Sequence, residues 1–219
     1  MRTRRPSNNF IRDPSLVLEL PLYKLDGSSF MSKDAYGHLC QNTGALWTPQ
    51  GRSFDGTDDN ILVANHSSFT FTSQNFTLEI WAKITYVADD CLITKGAAFP
   101  DGWYFQMEAT RHWKFVIAHG ETHEDTISNE NVIVDGEWAH LVIVRNGAAV
   151  SIYKDLIDIT ATQPAVSDPT TNTRNLYVMA YDGGSNASAG TIGEARIYNR
   201  ALSPAEIMHN FLATKWRFR

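Results

Sequence analysis

The sequence predicts an all-β fold of two packed antiparallel sheets with one short helix near the C-terminus, and three features carry that prediction. Stretches rich in Val, Ile, Phe, Tyr, Trp and Thr recur roughly every 8–15 residues between Gly, Asp, Asn and Pro. In residues 75–84, Phe76, Leu78, Ile80, Ala82 and Ile84 alternate with Thr77, Glu79, Trp81 and Lys83, the period of a strand with one face in a core and Trp81 on the other. Helical periodicity is confined to the residues after Ser203.

Taken in order, strands are expected at 16–20, 61–63, 75–84, 91–94, 103–108, 113–118, 131–134, 138–145, 149–153, 176–180 and 195–198. This many short strands in one chain imply a two-sheet sandwich. Asn146-Gly147 predicts a type I′ hairpin between 141–145 and 149–153, because that turn needs φ > 0 at both central residues. Ser203 is the expected N-cap of the helix, Pro204 suits its first position, and Glu206 completes a capping box ahead of Ile207, Met208 and Phe211.

The 219 residues, 43% apolar and 20% charged, suffice for one sizeable core. No apolar run approaches the roughly 20 residues of a membrane-spanning helix, and 16–25 is interrupted by Glu19, Pro21 and Lys24, so no signal peptide is expected. Cys40 and Cys91 are either two small buried hydrophobes or a single bridge, a choice that spacing does not decide. Arg2, Arg4, Arg5, Lys215, Arg217 and Arg219 are six of the 19 basic residues, and no acidic residue shares those two ends. The remaining 13 stand against all 24 acidic residues, a net of −11, which argues against nucleic-acid readout. The expected organisation is a basic tail at 1–12, a domain at 13–211 and a basic-aromatic tail at 212–219.

Six segments in order resemble the laminin-G-like and pentraxin-like branch of the concanavalin A-like lectin/glucanase superfamily. They are 18–23 with 34–38, GRSFDGTDD at 51–59, NFTLEIWAK at 75–83, DGEWAHLVIV at 135–144, AVSIYKD at 149–155 and GTIGEARIYNRALSPAEI at 190–207. The resemblance implies a jelly-roll sandwich of two curved antiparallel sheets with the first and last strands side by side. If the ends meet, Arg2, Arg4, Arg5, Lys215, Trp216, Arg217 and Arg219 form one docking patch for an acidic partner. Glycosidases of the superfamily place catalytic carboxylates at alternate positions of one strand, and no Glu-x-Asp-x-Glu or Glu-x-Asp-x-x-Glu occurs here.

The resemblance also implies calcium as the ion to consider, with Asp101, Asp182 and Asn186 as ligands in two rim loops and Asp55, Asp58 and Asp59 as a further group. For a sugar, the aromatics nearest the expected loops are Trp103, Tyr104, Trp113 and Tyr181, with Asp182 and Asn186 as polar contacts. Glu121, Glu124 and Asp125 read as a solvated loop tip. His112, His119 and His123 do not align, because the segment is not helical, and Trp138 and His140 read as structural. No nucleophile elbow, phosphate loop or His-Glu-x-x-His is present. The expected function is a non-catalytic lectin-like domain that recognises a glycan or cell-surface ligand, outside the cell or on a virus particle. The alternative is an assembly component of such a particle, an oligomer or a partner of other virion proteins, and a glycoside hydrolase is third.

Overall fold

The computed structural model describes residues 9–97 and 100–218. In the first half of the chain the strands are β1 (Leu16–Leu20), β2 (Ser29–Met31), β3 (Leu39–Thr43), β4 (Leu46–Thr48), β5 (Gly51–Asp55), β6 (Asn60–Val63), β7 (Phe76–Ile84), β8 (Cys91–Gly96) and β9 (Asp101–Glu108). In the second they are β10 (His112–His119), β11 (Thr122–Ser128), β12 (Trp138–Asn146), β13 (Ala149–Lys154), β14 (Ile157–Asp158), β15 (Thr160–Thr162), β16 (Leu176–Val178) and β17 (Ala189–Tyr198), followed by helix α1 (Pro204–Thr214).

One sheet has eight strands in the order β14-β13-β12-β7-β17-β5-β4, with β1 also on β17, and the other has nine in the order β15-β11-β10-β9-β8-β16-β6-β3-β2. All pairings are antiparallel, and the first and last strands do lie side by side, Leu18 opposite Ile197 and Leu20 opposite Ala195. Alternation turns Leu78, Ile80 and Ala82 of β7 and Trp103, Phe105 and Met107 of β9 into the space between the sheets. There Trp103 stacks on Phe71 and Phe76, and Trp113 stacks on Phe105 with ring centroids 5.0 Å apart. Cys40 and Cys91 are buried free thiols, and burial pushes each up to about 12.

The hairpin joins β12 to β13 as expected, but Asn146 pairs with Ala149 and only Gly147 has positive φ, at 63°. The turn therefore centres on Gly147-Ala148 with glycine first, the arrangement of a type II′ turn. Residues 131–134 form no strand, while polar 122–128 forms β11, held by a full ladder to β10. Apolar alternation could not reveal β11 because its outward positions are His123 and Asp125 and its inward ones include Glu124 and Thr126.

The expected C-terminal tail is part of the fold. Helix α1 runs to Thr214 with the Ser203–Glu206 capping box in place, and Lys215–Arg217 add one further turn. Phe218 is 5% exposed and lies 4.8 Å from both Trp81 and Trp138, ring to ring. Arg217 packs its guanidinium 3.7 Å from the Tyr23 ring and 4.5 Å from Trp216, and Lys215 lies over Phe211. Aromatic packing thus converts three of the proposed docking residues into a lid on the eight-stranded sheet. Arg2, Arg4, Arg5 and Arg219 lie outside the described residues. The domain also begins earlier than residue 13, since Phe10 is buried.

Beneath α1 the outer face of the eight-stranded sheet is polar. Arg196 of β17 donates to Glu79 of β7 at 3.0 Å and to Glu194, and all three side chains are buried. Asn210 of α1 donates to Glu79 at 2.9 Å and accepts from the Ile11 backbone at 2.8 Å. The Phe10 ring lies 4.0 Å from the guanidinium. Burial opposes the charge on Arg196, but Glu194 and Glu79 outweigh it and hold the group above the ordinary arginine value. His140 is fully buried beside Trp81 and is pushed down to about 3 by burial and by Arg196, so it is neutral. Arg196→Met is expected to cost about 3–5 kcal/mol, because it leaves two carboxylates buried without their cation. Urea denaturation checks this, and a loss under about 1 kcal/mol would remove Arg196 as the anchor of this layer.

Candidate functional site

The outer face of the nine-stranded sheet is the surface that the rim residues share. Val116 of β10 pairs with Tyr104 of β9 and with Asp125 of β11, and Lys114 pairs with Gln106. These side chains all face away from the core. Cys91, Tyr104 and Val116 form a small buried apolar floor, and the Tyr181 ring stands edge-on to Tyr104, 5.4 Å away at 90°. Tyr181 is half-buried and supplies the accessible aromatic surface.

Around this pair the groups are charged or amide. Lys114 contacts Glu108 and lies 3.9 Å from Asp125, His123 lies 3.5 Å from Asp125, and Gln106 donates to Glu108 at 3.4 Å. Asp89 lies beside Glu108. Burial and Glu108 raise Asp89, while at Glu108 burial is outweighed by the Lys114 bond together with the Ala109 backbone and Asp89, so its carboxyl is held below the ordinary value. Burial and the neighbouring Asp89 push Asp90 up to about 6.

Strand alternation divides the predicted sugar aromatics. Trp103 and Trp113 are 1% and 2% exposed between the sheets, so neither offers a face to a ligand, whereas Tyr104 and Tyr181 come together outside. Asp101 and Asp182 also converge, on Arg174: Asp101 accepts from its Nε at 2.9 Å and Asp182 from its Nη1. Lys95 lies below, donating to Asn172 Oδ1 at 2.7 Å and to the Arg174 carbonyl at 2.8 Å, and burial pushes it down to about 8. Asn186 is exposed at the loop tip with φ 44°. This set does not fit calcium, which needs six to eight oxygens, because a guanidinium already stands between the two carboxylates. Asp55, Asp58 and Asp59 bring ligand oxygens within 4.8 Å of one another, yet Asp59 accepts from the Asp55 backbone at 2.9 Å and Asp55 from the Thr57 backbone at 2.7 Å, bonds that fasten their own turn.

The remaining candidates separate. Glu124 faces inward and accepts from His119 at 2.8 Å, whereas Asp125 faces outward, and exposed Glu121 stands in the turn between β10 and β11. His119 pairs across the hairpin with Thr122, so His123 falls on the opposite face. Sequence reasoning missed Gln106 and Glu108, which share a strand face with Tyr104, Lys114, which the pairing of β9 with β10 brings beside them, and Asp89 and Asp90, whose backbone bonds that of Met107. One grouping resembles a catalytic triad and is not one. Ser68 Oγ is 3.4 Å from His38 Nε2, but that nitrogen donates to the Val17 carbonyl at 2.8 Å and is also the one nearest Asp34, at 3.6 Å. It therefore cannot act as a base toward the serine.

Residues 55–208 match the sequence model of a laminin-G-type family described as the concanavalin A-like lectin/glucanases superfamily, and the chain belongs to that family. Similar solved structures include the binding domain of Paraclostridial Mosquitocidal Protein 1, with TM-score 0.68 and 16% identity over 92% of this chain and 52% of that one. The binding domain of botulinum neurotoxin DC, solved with rat synaptotagmin II, gives TM-score 0.71 and 14% identity over 92% and 51%. Trypanosoma rangeli sialidase in complex with sialic acid gives 0.69 and 18% over 94% and 34%. The chain thus spans about half of the toxin binding domains and a third of the sialidase, and at these identities the likeness is one of fold. A search of curated proteins finds no match to the sequence. No helix among the described residues is long and apolar enough to cross a membrane.

Two outcomes are expected. The ordinary value of the Asp90 carboxyl is 3.8 and its folded value about 6, so burial penalises only the ionised form. That cost is absent below about pH 4 and complete above about pH 6, so the stability of the protein relative to Asp90→Asn should fall as pH rises through this window. Urea midpoints that stay parallel for the two proteins would contradict it. The wild-type Tm should be the same in calcium and in EDTA, whereas Arg174→Met, with both carboxylates released, should melt lower in EDTA and regain stability in calcium; thermal melts of both proteins decide this.

Proposed function

We propose that the protein is a non-catalytic, lectin-like binding domain that recognises a glycan on a surface outside the cell through the outer face of its nine-stranded sheet. The observation that carries this reading is the orthogonal Tyr104–Tyr181 pair, ringed by Gln106, Lys114, Asp125 and His123. An aromatic edge for sugar C–H groups, with amide, carboxylate and ammonium groups around it for hydroxyls, is the chemistry that saccharide recognition uses. Membership of the family supports a binding role, and so do the toxin binding domains of the same fold.

The acidic groups argue for the absence of hydrolysis and for the kind of sugar. Retaining glycosidases hold their two carboxyls about 5–5.5 Å apart. Glu108 is instead committed to Lys114, with Asp89 crowded beside it. Four carboxyls, Asp89, Asp90, Glu108 and Asp125, stand near one lysine, so the face repels anionic sugars and favours uncharged ones. Calcium has no part in this recognition.

A glycan array probed with the full-length protein, in calcium and again in EDTA, tests the reading. The expected result is a set of uncharged glycans bound equally in both, with affinity falling about tenfold or more in Tyr181→Ala. An array without hits, or hits that persist unchanged in Tyr181→Ala, would overturn it.

A further inference from the structure

The eight-stranded sheet carries a groove that the ligand face does not use. It has a volume of about 730 Å3 and runs between the β12–β13 turn and the chain that leads into α1. Buried Val144 and Leu202 contribute apolar floor, while Asn75, Asn146, Ser151 and Gln163 contribute polar wall. The wall groups are amides and a hydroxyl, and none of these four side chains is charged. Arg200 and Glu206 reach the groove, but they are bonded to each other at 3.0 and 2.8 Å, and Asp13 takes Arg200 as well at 2.8 Å. The site is therefore close to neutral.

Two of the three amides are half engaged. Asn75 Oδ1 accepts from the Gly147 backbone at 2.7 Å, Asn75 Nδ2 donates to Asn146 Oδ1 at 3.2 Å, and Gln163 Nε2 donates to the Val150 carbonyl at 2.7 Å. Among the described residues, Asn146 Nδ2, Gln163 Oε1 and the Tyr153 hydroxyl have no protein partner. Asn146 and Gln163 are thus each anchored at one end with the other left for a ligand, while Asn75 is engaged at both, which reduces the ordering cost of binding.

Tyr153 and Pro204 also border a second hollow of about 360 Å3, walled by Leu156, Ala205, Ile207 and Met208. Met208 is 48% exposed there, and Leu212, four residues on along the same helix face, is exposed as well. A polar and an apolar compartment therefore meet at one aromatic ring.

We infer that this double groove is a second ligand site, one that takes an uncharged saccharide bearing an apolar group. The saccharide hydroxyls meet Asn146, Gln163 and Tyr153, and the apolar group lies against Leu156, Ile207 and Met208. Charge complementarity selects this ligand: among the described lining residues an anion finds the one cation, Arg200, already paired, and a cation finds the one carboxylate, Glu206, already bonded to that arginine. An extended peptide is disfavoured because β13 is already paired with β12 on one side and β14 on the other, which leaves little free backbone edge to pair with. The inference does not depend on the face around Tyr181.

Calorimetry with n-octyl β-D-glucoside, below its micelle concentration and with the full chain, tests it. Saturable binding is expected, about tenfold or more tighter than that of glucose or of n-octyl sulfate. The side-chain amide NMR signals of Asn146 and Gln163 should move with the titration. Gln163→Ala should weaken binding about tenfold, while Tyr153→Phe, which keeps the packed ring, should cost less than Tyr153→Ala. Absence of saturation, equal binding of octyl sulfate, or amide signals and affinity indifferent to Gln163→Ala in a folded variant would overturn it.

Discussion

A single buried guanidinium holds the outer layer of this protein together. Arg196 sits on β17, the strand that joins β1, β5 and β7, and it is fully desolvated between Glu79 and Glu194. Its position would be very costly without those carboxylates, and theirs without it. The network then reaches outward, since Asn210 ties α1 to Glu79 and to the backbone of Ile11, Tyr198 donates to the Ile11 carbonyl, and Phe10 closes over the cation. Phe10, Ile11 and α1 are therefore drawn onto one face by the need to keep water from a charge cluster that must stay complete.

That closure divides the surface. One end of the eight-stranded sheet is sealed by Trp81, Phe211 and Phe218, with Trp81 Nε1 satisfied by Thr214 at 2.8 Å. The lid rises from the sheet where α1 begins, and the neutral groove at Tyr153 lies beside that start. Among the described residues the opposite sheet has no such lid, and Tyr181 on its outer face is half-buried. Its neighbouring loop is held by Arg174 between Asp101 and Asp182 and by Lys95 beneath.

Much of the fold was legible because its signals are local. The alternation of 76–84, the apolar run at 16–20 and the Ser203-Pro204-x-Glu206 start each depend on residues adjacent in the chain, and each appears where it was read. Strand β11 was not legible, since a polar strand declares itself only through the partner that supplies its ladder. The hairpin was placed correctly but its turn moved by one residue, because positive φ was needed at Gly147 and not at Asn146.

The site divides along the same line. Composition and order by themselves determined an all-β sandwich, the strand that carries Tyr104, the loop that carries Tyr181 and Asp182, and the absence of paired catalytic carboxylates in one strand. Which aromatics face a ligand was settled by which sheet face lies against the other sheet, and that put Trp103 and Trp113 inside. The partner of Asp101 and Asp182 was likewise settled in three dimensions, since Arg174 is 73 residues from the first and 8 from the second. The fate of the basic C-terminus followed the same rule. Charge along the chain suggested a docking tail for an acidic partner, but Trp81 on β7 and Trp138 on β12 offer a surface to Phe218, and Tyr23 one to Arg217, that these side chains lose less by covering than by leaving to water.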